Sequence, residues 1–142
     1  MMSPQKYQVH SLAELQVIAE EHECTLVTAG PDELLLDIDA PTTLDSWKVM
    51  HAAELALLQE KFGYPRIDSW ISRNGGLHVR IRLPEAIPTS LTMALQAALG
   101  SDPKREILAC WEFYALSNAS LREDPIGEVE DTRSLFKPKE KE

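Results

Sequence analysis

Ser11-Leu12-Ala13-Glu14 has the form of a capping box, in which the serine hydroxyl accepts from the third helical N–H and the glutamate reaches back. Leu12, Leu15, Val17 and Ile18 follow at helical spacing, which predicts a helix over 11–22. The runs Thr25 to Ala29 and Leu34 to Asp39 are strand-like and flank Gly30-Pro31-Asp32, so a hairpin is expected there. After Pro41, Leu44, Trp47, His51, Leu55, Leu58 and Phe62 recur near a period of 3.6. That spacing predicts one long helix, ended by Gly63 and Pro65. Residues 66–72 and 77–83 read as a second hairpin about Asn74-Gly75-Gly76. Ser90 can cap a helix over 91–99 that Gly100 terminates, and Asp102-Pro103 opens another. Ile107, Leu108, Trp111 and Tyr114 give that last helix an apolar face.

The order α-β-β-α-β-β-α-α predicts an α+β domain over 1–120, an antiparallel sheet with helices packed on one face. Residues 121–142 are mostly charged, with Leu135-Phe136 as an apolar knot. They read as a flexible tail whose knot can dock on a partner.

Side chains alternate along a strand. Parity therefore sets Asp37 and Asp39 on one face of their strand and Leu34, Leu36 and Ile38 on the other. In the second hairpin, His78, Arg80 and Arg82 oppose Leu77, Val79, Ile81 and Leu83. If helices cover the apolar side, both polar sets emerge on the open face of one sheet. Two carboxylates side by side are the hard oxygen ligands that Mg²⁺ takes together with substrate phosphates, and guanidinium suits phosphate oxygens. Each element also has an ordinary role: Asp-x-Asp as a strand-end turn, His78 as a structural imidazole, the arginines as the wet face of a half-exposed strand.

The net charge of −9 over 142 residues argues against a simple electrostatic binder of duplex nucleic acid. It leaves room for an enzyme that gathers carboxylates around Mg²⁺ or Mn²⁺. Cys24 and Cys110 have no CxxC partner, which gives neither a zinc cluster nor a disulfide framework. No run approaches the roughly 20 apolar residues of a membrane span. The first residues, Met-Met-Ser-Pro-Gln-Lys-Tyr, lack an apolar signal core, so a cytoplasmic protein is expected.

Three strings carry a family likeness: Leu34-Leu35-Leu36-Asp37-Ile38-Asp39, Gly76-Leu77-His78, and Asp102 within Leu99-Gly100-Ser101-Asp102-Pro103-Lys104-Arg105-Glu106. In order and spacing they resemble the motifs of the archaeo-eukaryotic primase superfamily, which includes primase-polymerases of phages and plasmids. These motifs are an acidic pair after a hydrophobic run, a small-x-His on a strand, and a third acidic residue. The likeness covers roughly residues 24–117.

It implies an RRM-like catalytic core, with Asp37, Asp39 and Asp102 as the catalytic ligands of Mg²⁺ or Mn²⁺. His78 would contact the phosphates of an incoming nucleoside triphosphate. Parity adds Arg80 as a phosphate contact, and local charge adds Arg73, Lys104 and Arg105. Glu112 is a rival third carboxylate, although helical periodicity makes it a surface residue. The implied activity is metal-dependent nucleotidyl transfer on a single-stranded template, with a helicase or second replication subunit as partner and a bacterial host cytoplasm as the setting if the chain is phage-encoded. A non-catalytic replication accessory module and a metal-dependent nuclease or nucleotide hydrolase are the alternatives.

Overall fold

The computed structural model describes residues 11–117 and 133–140. Along the chain run α1 (Leu12–Glu21), β1 (Cys24–Thr28), β2 (Glu33–Ile38), α2 (Leu44–Met50), α3 (Ala52–Phe62), β3 (Arg66–Ile71), β4 (Leu77–Arg82), α4 (Thr89–Ala98), α5 (Pro103–Ser117) and β5 (Ser134–Pro138). The fold is α+β, with two antiparallel sheets and helices packed against them. Strands β2, β4 and β3 form one sheet in that order, and β1 with β5 forms the other.

The register of the three-stranded sheet explains its two faces. Leu34–Ile81–Ile67, Leu36–Val79–Ser69 and Ile38–Leu77–Ile71 form cross-strand rows on one side. Most of these residues join Trp47, Leu55, Leu58 and Phe62 of α2 and α3, and Leu95 and Leu99 at the end of α4, in the main core. Fully burying each such aliphatic chain is worth about 1.5–3 kcal/mol, which holds the helices on this face. Trp47 is 2% exposed, and its indole N–H donates to the Leu99 carbonyl at 2.9 Å, so the largest core side chain leaves no polar atom unpaired.

The β3–β4 hairpin forms as its turn residues predict. Ser72 accepts the Gly75 N–H through its carbonyl and the Gly76 N–H through its hydroxyl. Gly76 passes so near β2 that an added Cβ would lie 2.6 Å from the Ile38 carbonyl oxygen. The small residue two before His78 thus has a steric cause.

Four expectations are corrected. First, β1 and β2 lie in different sheets; β1 pairs instead with β5, from Cys24↔Pro138 to Thr28↔Ser134. Second, the C-terminal segment expected to be flexible contains that strand, and Leu135 of the apolar knot is buried within the chain. Residues 118–132 of the expected tail lie outside the described residues. Third, the long helix is divided at His51 (φ −109°, ψ 25°), although the hydrogen bonds His51 N–H to Trp47 O and Leu55 N–H to His51 O run on through it. Fourth, the apolar face read for α5 is largely outward, with Ile107, Leu108 and Tyr114 all more than half exposed. The inward side of that helix is polar because it serves the edge of β2.

That edge is closed by side chains. The outward-facing backbone of β2 meets the α4–α5 corner at Leu35 and Asp37, where a further strand would bond. Gln96 Oε1 accepts the Leu35 N–H at 2.9 Å, and Arg105 Nη1 donates to the Leu35 carbonyl at 2.7 Å. Ser101 Oγ accepts the Asp37 N–H at 3.0 Å, and the Asp102 N–H donates to the Asp37 carbonyl at 2.6 Å. An exposed strand edge is a template for pairing with other chains, and here it is occupied. The same four bonds fix where Asp37 stands.

Candidate functional site

The polar face of the sheet consists of three rows: Asp37–His78–Trp70, Leu35–Arg80–Asp68 and Glu33–Arg82–Arg66. In the first row His78 Nε2 lies 3.3 Å from Asp37 Oδ1. The Trp70 indole N–H points at both His78 Nδ1 (3.0 Å) and the Phe136 carbonyl (3.1 Å). An imidazole protonated on Nε2 satisfies these contacts together, donating to Asp37 and accepting from Trp70. The hydrogen bond from His78 holds the Asp37 carboxyl below its usual range. Burial opposes this, and electrostatic attraction to His78 and Arg105 reinforces it.

This end of the face is not open, as parity alone had suggested. The Phe136 carbonyl of β5 reaches Trp70 and lies 3.2 Å from His78 Nδ1, leaving His78 8% exposed. The covering strand comes from a segment more than 50 residues downstream, and nothing local to His78 signals it.

The structure gathers several of the residues singled out from the sequence at one end of β2. Asp37 and His78 face each other. Asp39 follows the strand end and is exposed. Asp102 is joined to Asp37 through the backbone, while its carboxylate accepts the Lys104 N–H at 3.2 Å and so caps α5. Lys104 is exposed in the first turn of that helix, and Arg73 is exposed on the β3–β4 turn, which follows the paired ends Ile38↔Leu77 and Leu77↔Ile71.

Arg80 and Arg105 are engaged elsewhere. Arg80 makes a two-pronged pair with Asp68 at 3.0 and 2.8 Å. Arg105 donates to the carbonyls of Leu35 and Ser134 and to Ser101 Oγ, and pairs with Glu106 at 3.5 Å. Burial pulls the Arg105 guanidinium below its usual range, against the stabilising charges of Glu106, Asp37 and Asp102. Its role is to tie β2, α5 and β5 together. Glu112 is half-buried on α5.

Sequence reasoning passes over Ser101, Gln96, Trp70 and Phe136 as parts of the site. Ser101 directly precedes the motif aspartate Asp102, but its bond to the Asp37 N–H spans 64 positions and has no local signal.

Among the described residues no group of three or more His, Cys, Asp or Glu side chains stands ready to hold a metal ion. By donor chemistry alone, Asp37 and Asp39, which follows the end of β2, are of the kind that Mg²⁺ takes one or two at a time together with substrate phosphates and water. Among the described residues no helix is long and apolar enough to cross a membrane. Comparison of the chain with protein-family models, curated proteins and solved structures returns no match.

Proposed function

We propose that the Asp37 end of β2 is a divalent-metal and nucleoside-triphosphate site, used for nucleotidyl transfer in the manner of the primase superfamily that the sequence resembles. The observation that carries this reading is convergence: three strings far apart in sequence meet at one strand end, through the Asp37–His78 contact and the Asp102–Asp37 backbone bond. The reaction would be attack of a strand's 3′-hydroxyl on the α-phosphate of an incoming nucleotide, with pyrophosphate leaving. Bound Mg²⁺ or Mn²⁺ would supply neutralisation of the attacking and leaving oxygens.

The chain's own contribution is positioning. The His78 hydrogen bond favours the ionised form of Asp37, and Ser101 and Asp102 fix the backbone on which the carboxylate is mounted. Asp39, exposed at the strand end, is the more accessible oxygen donor. Among the described residues, Lys104 and Arg73 are exposed cations toward this end that can meet phosphate, since Arg80 and Arg105 are committed to other partners. The reading implies a single-stranded template, a helicase or second replication subunit as partner, and a cytoplasmic setting.

A second reading, a non-catalytic accessory module, is favoured by the burial of His78 beneath β5 and the engagement of both its ring nitrogens. Purified protein with Mn²⁺, labelled nucleoside triphosphates and a primed single-stranded template separates the two. Product lengthening that disappears in Asp37→Asn and Asp39→Asn supports transfer. Nucleotide binding without extension, surviving both substitutions, supports the module. Strand shortening or phosphate release without lengthening points to the nuclease or hydrolase alternative.

A further inference from the structure

At the opposite end of the polar face, the row Glu33–Arg82–Arg66 sets two arginines directly across from each other. Like charges in that position repel and destabilise the strand pair. Arg82 is partly compensated by Glu33 at 3.4 Å. Arg66 is exposed and has no ion pair among the described residues. Beside it Tyr64 is 79% exposed. A groove of about 310 Å³ runs between Tyr64, Pro84, Asp32 and the two arginines.

An exposed aromatic ring next to a pair of accessible guanidiniums is the combination that takes an unstacked base together with its phosphates. We propose that this groove binds single-stranded nucleic acid, with Arg66 and Arg82 on successive phosphates and a base stacked on Tyr64. Asp32 also lines the groove, and its carboxylate repels a highly charged free polyphosphate more than a singly charged phosphodiester. Two further basic side chains stand along the same face, Arg80 being held by Asp68. Arg80 lies two residues nearer to His78 on β4, and Lys137 Nζ lies 5.3 Å from the Trp70 ring centroid. From Arg82 to His78 is four strand residues, about 13 Å at 3.3–3.4 Å per residue. A strand held in the groove can follow this face as far as Arg80, beyond which the Phe136 carbonyl of β5 covers Trp70 and His78. The binding does not depend on the proposed nucleotidyl-transfer reading.

The test is fluorescence anisotropy of a labelled oligothymidylate, at low salt and in EDTA, with the full chain. Tyr64→Ala is expected to weaken binding by about fivefold or more, and Tyr64→Phe to retain it. Arg66→Ala with Arg82→Ala is expected to flatten the plot of log affinity against log salt by about 1.4, roughly 0.7 for each phosphate no longer neutralised. Arg66→Glu, at an exposed position, should weaken binding more than Arg66→Ala without changing the circular dichroism spectrum. Asp37→Asn should bind the strand as the unsubstituted protein does, so that loss of nucleotidyl transfer and loss of strand binding are separate results. Absence of binding, affinities unchanged by these substitutions, or equal displacement by duplex, oligoglutamate or free triphosphate would each overturn the proposal.

Discussion

Replacing Gln96 by Met probes the closure of the β2 edge at its most connected point. The Gln96 side chain is 1% exposed. Its Oε1 accepts the Leu35 N–H, and its Nε2 donates to both carboxylate oxygens of Glu106 at 2.7 and 3.1 Å. Methionine fills nearly the same volume and makes neither bond. An orphaned buried N–H costs about 1–3 kcal/mol, and a lost hydrogen bond to a charged group about 1.5–3, so Gln96→Met should lose about 2.5–6 kcal/mol. Against a total stability of about 5–15 kcal/mol for a domain, this is a large fraction.

The loss should also depend on pH. Burial pushes the Glu106 carboxyl above its usual range, while Arg105, Gln96 and Ser101 oppose that rise. A raised carboxyl binds more protons when folded, so its unfavourable contribution grows as pH rises above the unfolded value of about 4.3. Without Gln96 the rise is larger, and the deficit of the variant should shrink on acidification. Urea unfolding of the two single variants and of Gln96→Met/Glu106→Met gives the coupling. The double variant has no buried carboxylate to orphan and should cost about 1.5–3 kcal/mol less than the sum of the singles. Additivity within about 0.5 kcal/mol, or a Gln96→Met loss below about 1 kcal/mol, would refute this account of the edge.

Gly76→Ala is expected to destabilise the chain and to separate β4 from β2, because the new Cβ would meet backbone 2.6 Å away; the urea midpoint and the imidazole NMR signals of His78 report the two effects. Gly100→Ala should also be destabilising, since that residue has φ 92° and an added Cβ would lie 2.8 Å from His51 Nε2. A drop in its urea midpoint is the readout. The Asp37 carboxyl, lowered first by its bond from His78, should stabilise the fold above an unfolded value of about 3.9 and cease to do so as pH falls through its lower folded value. The stability difference between the unsubstituted protein and Asp37→Asn, followed by acid titration of the unfolding midpoint, should therefore fade in that direction; growth of the difference on acidification would contradict the assignment.

The parts of the fold written locally in the chain were legible. Asn74-Gly75-Gly76 marked the β3–β4 turn, and parity in Leu77 to Leu83 assigned His78, Arg80 and Arg82 to one face, as the register shows. The serine half of the capping box at Ser11 is formed, its hydroxyl accepting the Glu14 N–H at 3.1 Å, while the Glu14 carboxylate meets the Ser11 hydroxyl at 3.3 Å. The misread parts depend on long-range pairing. Ser134-Leu135-Phe136-Lys137-Pro138 has too little hydrophobic pattern to announce a strand, and its partner β1 lies over 100 residues earlier. Gly30-Pro31-Asp32 does mark a turn, but a turn between strand-like runs does not determine which strands pair. Parity gave Arg80 a shared face with Asp37, and it gave Asp68 the same face, where Asp68 captures that arginine. On α5, the helical period picked out Ile107 and Leu108, whereas the positions turned inward are Arg105 and Glu106, needed for the β2 edge.

The central claim is that Asp37 and Asp39 bind a nucleoside triphosphate through a divalent ion. Calorimetric titration of a nucleoside triphosphate into the protein, with Mn²⁺ and then with EDTA, tests it most directly. The account predicts binding that requires Mn²⁺, weakens by at least about tenfold in Asp37→Asn and in Asp39→Asn, and is unchanged in Tyr64→Ala. Binding of equal strength in EDTA, or undiminished in both aspartate variants, would contradict it.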